Sequence, residues 1–223
     1  MKLSNNTLAI LSNFSNINSN IYVRRGNVLR TVSIAGDISA SAVVEESFEN
    51  EFAIYELPQF LKGLKLYANP ELEFPDDKSH VLIKQGNHTI KYFLTEPDLV
   101  VAPENRDMRL PSEDVCFQMS AEQFDKLMKA TNVFGLSDFS VLGKKGEITL
   151  QVRNKSNPTS NQVSIVVGET DEDFELNFDK NNLLMIEGSY DVVISKEMVA
   201  KFTNQDFDLT YFVGLSSDSS FDL

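Results

Sequence analysis

Apolar and polar positions alternate between two periods along this chain, and the alternation runs through the same order twice. Thr7, Leu8, Leu11, Phe14 and Ser15 fall on one face of a 3.6-residue helix, with Ser4 placed to cap it and Ile17 at its exit. The arrangement returns at Ser120-Ala-Glu-Gln123, a capping box. There Phe124, Leu127 and Val133 take the places of Leu8, Leu11 and Ile17, and Gly135 marks the stop. After the first helix, period-two patterning predicts two strands over 20–34 around the turn Arg24-Arg25-Gly26-Asn27, then strands over 38–44 and 52–55. A second helix is expected over 57–68, and strands open at Glu71, His80 and His88. The second copy predicts strands over 138–142, 147–153, 162–167 and 173–178, a short helix over 179–185, and strands over 189–194, 198–203 and 208–215. The polar tail from Ser216 reads as loose.

Each copy therefore reads as α+β, two helices packed on one face of an antiparallel sheet. Between the copies, Pro97, Pro103 and Pro111 interrupt a stretch without period. The division expected is a first domain over 1–97, a connector over 98–114 and a second domain over 115–223. At 223 residues with 42% apolar content, the chain can fill two modest cores. No run approaches the ~20 apolar residues of a membrane span. Cys116 is the one cysteine and His80 and His88 the only histidines, which argues against a disulfide framework and a histidine-rich metal centre. No P-loop, dinucleotide fingerprint, nucleophile elbow or zinc-protease motif occurs, so neither an enzyme nor a cofactor is expected. The acidic run Glu169-Thr-Asp-Glu-Asp173 reads as a solvated loop.

Charge changes the picture. The formal net charge is −13, from 33 acidic and 20 basic residues, so any contact with phosphate requires the cations to be sorted onto one surface. Two hexamers do this in the same geometry: Phe60-Leu-Lys62-Gly-Leu64-Lys65 and Phe124-Asp-Lys126-Leu-Met128-Lys129. At about 100° per residue, each lysine pair lies roughly 140–200° from the first aromatic of its hexamer, opposite the buried stripe. Two turns repeat a second basic signal, Arg24-Arg25-Gly26 and Lys144-Lys145-Gly146. The first helix differs: the face opposite Leu8 and Leu11 bears Asn6, Ile10 and Asn13 in place of lysines.

Taken with the two-copy layout, the segments Met1-Lys-Leu-Ser, Ile17-Asn-Ser, Ala53-Ile-Tyr, Val100-Val-Ala-Pro103 and Gly188-Ser-Tyr carry a resemblance. The chain resembles the DNA polymerase sliding clamps, or processivity factors, of T-even-type tailed bacteriophages. The resemblance implies two clamp domains per chain and a homotrimer closed around double-stranded DNA, whose inner helices meet phosphate without reading bases. It implies DNA contact by Lys62, Lys65, Lys126 and Lys129, and the repeated basic turns add Arg24, Arg25, Lys144 and Lys145. The first helix departs from the family's pattern, with Asn6 and Asn13 where such clamps tend to carry lysines, able still to hydrogen-bond phosphate. Partner contact falls to Val100, Val101, Pro103, Met108 and Leu110 near the connector. The partners implied are the replicative DNA polymerase and a clamp-loader ATPase, with a role in late transcription as well, in the cytoplasm of an infected bacterium. The competing reading is a ring-forming structural protein of a virion or assembly, which would share the duplication and the acidity but never embrace DNA.

Overall fold

Ser4 opens the first helix, α1 (Asn5–Ile17), by accepting a hydrogen bond from the Thr7 amide at 3.2 Å. No residue of α1 carries a charge, so the helix has no acid of its own to complement its positive end. Glu46, from the strand alongside, supplies one: its carboxylate accepts from the Ser4 amide and the Thr7 hydroxyl. Burial works to raise the Glu46 pKa, but those bonds outweigh it and hold the carboxyl below its ordinary value. The helix stops at Asn18, whose amide caps the Phe14 carbonyl at 2.9 Å.

The computed structural model describes residues 1–157 and 159–221, which form two compact units, Met1–Arg106 and Asp107–Leu223. In the first unit, β1 (Ile21–Val23) pairs antiparallel with β4 (Phe52–Ile54), and β2 (Gly26–Val32) with β3 (Ile38–Phe48). A second helix, α2 (Leu57–Leu64), precedes a three-stranded sheet ordered β5 (Glu71–Glu73), β6 (His80–Gln85), β7 (His88–Phe93). The apolar faces of α1 and α2 share one core, in which Phe14, Leu57 and Phe60 are almost fully enclosed.

The second unit begins with β8 (Val115–Met119) and α3 (Ala121–Phe134), where both halves of the Ser120–Gln123 capping box are formed. Gly135 ends α3 in the left-handed region at φ 64°, which a residue without a Cβ adopts at little cost. One antiparallel sheet runs β11 (Val163–Glu169), β10 (Glu147–Arg153), β9 (Asp138–Lys144), β12 (Phe174–Asp179), β16 (Ser220–Phe221). A second group pairs β8 with β13 (Tyr190–Ser195), β13 with β14 (Val199–Asn204), and β14 with β15 (Leu209–Gly214). Edge-to-face aromatics link both groups to the helix. Phe139, Phe178, Phe202, Tyr190 and Phe124 follow one another at centroid spacings of 6.0–6.4 Å.

Several elements depart from the sequence expectation for identifiable reasons. The strands flanking Arg24-Arg25-Gly26 do not form a hairpin; β1 turns to β4 and β2 to β3. Helix α2 ends at Leu64 and tightens into i→i+3 bonds at Leu66 and Tyr67 before Asn69-Pro70. The helix expected over 179–185 is a single 3-10 turn, Lys180–Asn182, so among the described residues the second unit has one α-helix. Asp179 caps that turn at Asn181, and the Tyr190 hydroxyl on the Ile186 carbonyl together with the Ile186 amide on the Tyr211 hydroxyl draws the following residues out extended. Burial pushes the Tyr190 phenol up to about 12, so it stays a donor at any physiological pH. The tail is fastened, not loose: β16 pairs with β12, Phe221 packs on Phe174, and Lys155 is paired with Asp218.

Candidate nucleic-acid interface

On α2, Leu57, Phe60, Leu61 and Leu64 are buried while Lys62 and Lys65 stand exposed. Neither lysine makes an ion pair among the described residues. Lys65 is also the C-cap, where a cation faces the negative end of the helix. On α3, Phe124, Leu127, Ala130 and Thr131 are buried, and Lys126 and Lys129 are exposed. Each of these lysines is answered one turn earlier by an acid, Lys126 by Glu122 at 2.6 Å and Lys129 by Asp125 at 2.7 Å. The hydrogen bond and charge of Lys126 lower the Glu122 pKa, and the bond Lys129 donates to Asp125 raises that of Lys129. These carboxylates were readable at the i−4 positions of the sequence and change what the second lysine pair can do.

Of the remaining candidates, Lys145 and Gly146 form the two-residue turn between β9 and β10, both in the left-handed region, with Lys144 and Lys145 exposed. Arg25 is exposed, whereas Arg24 is engaged: its guanidinium lies 4.7 Å from the Tyr22 ring centre and donates to the Pro103 carbonyl at 2.9 Å. Arg24 thus holds the connector instead of projecting from a turn. Asn6 is exposed and donates to Glu45 at 3.3 Å. Asn13 and Ile10 belong to the core side of α1, 8% and 2% exposed, so Asn13 is removed from any surface role. The solvent face of α1 is formed by Asn5, Asn6, Ala9 and Asn16. Rotation of α1 follows from Thr7, which is drawn inward by Glu46 and leaves Leu8 half-exposed.

The connector is pinned to the first unit at four points that sequence reading missed. Asn18 donates to the Val101 carbonyl at 3.1 Å, Asn20 accepts from the Val101 amide at 3.0 Å, Arg24 holds Pro103, and Arg30 reaches Asn105 at 3.1 Å. Val100 and Pro103 are half-buried by this, and Val101 stays exposed. Met108, exposed, and Leu110, half-buried, belong to the second unit. Two further features stand out. Strand β7 is an unpaired edge of its sheet, with Phe93 at 68%, Tyr55 at 56% and Leu99 at 64% exposure around a cleft of about 600 Å³. Strand β11 is an edge of the second unit's sheet and exposes Val166. Among the described residues, no cluster of three or more His, Cys, Asp or Glu side chains is placed to hold a metal ion.

Comparison with known proteins agrees with this organisation. Residues 2–101 match the family described as DNA polymerase processivity factor, and residues 116–217 match the family described as gp45 sliding clamp, C terminal. The sliding clamp of Vibrio phage KVP40 is 31% identical over 221 residues, covering 96% of this chain and 98% of its own length. That of Enterobacteria phage T4 is 29% identical over 231 residues, covering both chains in full. Among solved structures, the fold is similar to Proliferating Cellular Nuclear Antigen from Entamoeba histolytica, with a TM-score of 0.70 at 13% identity over 96% and 97% of the two chains. It is also similar to the DnaN sliding clamp of Pseudomonas aeruginosa, with a TM-score of 0.68 at 15% identity over 97% of this chain and 64% of that one. The virion-ring reading is not favoured by these matches. The chain belongs to the sliding-clamp family, the DNA polymerase processivity factors of T4-like phages.

Proposed function

We propose that three copies of this chain close into a ring around duplex DNA and carry the polymerase along it, with Lys62 and Lys65 as the principal phosphate contacts. The observation that carries this reading is the exposed, carboxylate-free lysine pair on α2 in a chain of net charge −13. Lysines meet phosphates as mobile point charges and read no base edge, which suits movement along the duplex. Lys126, Lys129, Lys144, Lys145, Arg25 and Asn6 add weaker or more peripheral contacts. The ring supplies persistence that such contacts cannot, because a closed circle of protein leaves DNA only by opening or by sliding off an end.

Edge strands offer the means of closure. Of the several edge strands, β7 and β11 are the pair proposed to join between copies, and the apolar surface of Tyr55, Phe93 and Leu99 beside β7 would be covered by it. Head-to-tail use of two different edges makes a ring when the rotation from copy to copy closes. Val100, Val101, Pro103, Met108 and Leu110 are the apolar contacts proposed for the polymerase and for the ATPase that opens the ring. Tethering raises the polymerase's effective concentration at the primer end; the chain contributes no bond chemistry of its own. Its place of action is the cytoplasm of the infected host, where support of late transcription would use the same tether.

The test is reversal of all four helix lysines to glutamate. The trimer, measured by light scattering, should persist at about three times the 25.1 kDa chain mass. Retention on closed circular DNA after loading should be lost. Unchanged retention would remove the helices from the DNA-facing surface.

A further inference from the structure

Between α1 and α2 lies a groove of about 310 Å³ that duplex tracking does not use. Its floor is Leu61 and Leu64, both buried, and its walls include Leu8, Ser12, Tyr67 and Pro70. Lys65 stands at its rim, and among the described residues no acid lines it, in a chain with 33 of them. Tyr67 is half-buried with its ring 6.1 Å from that of the exposed His88, so one aromatic edge of the groove is backed by a second ring. The volume lies at the lower end of the ~300–1,000 Å³ typical of small-ligand sites. An apolar slot with an aromatic wall and a single unpaired cation suits a flat base attached to an anion. Paired bases keep their faces stacked inside the duplex, whereas an unpaired base presents a free π-face for such a wall.

We propose that this groove takes one unpaired nucleotide of single-stranded DNA, the base lying against Tyr67, Leu8 and Leu64 and the phosphate meeting Lys65. The inference rests on the reading that α2 faces DNA. It gives the clamp a foothold on the single-stranded template beyond the primer end, distinct from its sequence-blind hold on the duplex. Peptide side chains would also suit an apolar slot, but the lone cation and absence of acids favour the nucleotide.

The experiment uses the whole protein with fluorescent oligo(dT) and with a duplex of equal length. Ala9→Trp, at an exposed rim position, fills the groove, and Tyr67→Ala removes the stacking wall. Each should weaken oligo(dT) binding about tenfold and leave duplex binding unchanged. Lys62→Glu with Lys65→Glu should weaken both. A 5-iodouracil substituted into the oligonucleotide should photocrosslink to Tyr67, read by peptide mass spectrometry. Wild-type oligo(dT) binding by both groove variants, or a crosslink mapping away from residues 8–12 and 61–70, would overturn the proposal while duplex loss on lysine reversal kept the lumen reading intact. Should Ala9→Trp instead spare oligo(dT) and lower polymerase processivity, the groove is a protein site and the proposal fails. Duplex binding that survives lysine reversal would sink the lumen reading and this inference together.

Discussion

The lysine pairs of α2 and α3 sit at matching positions in their hexamers, yet electrostatically they are different surfaces. Lys62 and Lys65 have no carboxylate on their helix, and the nearest acids in sequence are Glu56, before Lys62, and Glu71, after Lys65. Lys126 and Lys129 are each bound to an acid one turn back, so the exposed face of α3 carries no net formal charge from those four groups. The uncharged α1 contributes nothing to the field. Similar spacing therefore does not imply similar work: a phosphate approaching α3 must first displace Glu122 or Asp125, and one approaching α2 displaces only water and counterions. On the proposed reading, the first unit would be the DNA-holding half of each chain, and the second near neutral toward the duplex along α3.

The sharpest break in this comparison comes from the seam. Phe93→Asp combined with Tyr55→Asp places two charges in the edge surface beside β7. Light scattering should then report one chain in place of three, and both lysine pairs should become equally ineffective in retention. Next in size is reversal of one lysine pair at a time. Lys62→Glu with Lys65→Glu, present in three copies, removes up to six phosphate contacts. The slope of log affinity against log salt should shrink by up to about 5. Lys126→Glu with Lys129→Glu should shrink it by less than half as much; equal losses would erase the distinction between the helices.

A smaller effect runs in the opposite direction. Glu122→Gln with Asp125→Asn liberates the α3 lysines and should tighten binding to linear duplex about fivefold at low salt, fading as salt screens the contacts. Anisotropy titration at two ionic strengths checks it. The smallest effect concerns α1, where Glu46→Gln should cost about 1 kcal/mol at neutral pH by weakening the bonds to Ser4 and Thr7. Because the folded-state pKa of Glu46 lies below its unfolded value, the wild type holds this contribution above about pH 4.5. It loses the contribution as pH falls through the depressed folded value. Thermal melts from pH 7 to 3 should show the variant and the wild type converging at the acid end.

Local chemistry was legible in the sequence where a signal is complete within a few residues. The Ser120–Gln123 capping box, Gly135 at the end of α3, and Lys145-Gly146 in its hairpin all carry their own cause. Positions governed from a distance were not. Asn13 turns inward because α1 is rotated by Glu46, 39 residues from Thr7. Arg24 is taken up by Pro103, 79 residues away, and the tail is fastened by β12 and Lys155. The 3-10 turn in place of a second helix in the second unit reflects the buried tyrosines Tyr190 and Tyr211, which bind backbone that a helix would have kept for itself. Glu122 and Asp125 stand at helical spacing from Lys126 and Lys129, so the sequence itself distinguishes α3 from α2.

The most direct test of encirclement is to load the protein onto a closed circular duplex and then cut the circle once with a restriction enzyme. The account predicts slow loss from the intact circle and rapid release from the cut molecule as the ring runs off the new ends, with blocked ends restoring retention. Equal residence on circular and cut DNA would contradict it, because a protein held by contacts alone does not register whether its DNA has ends.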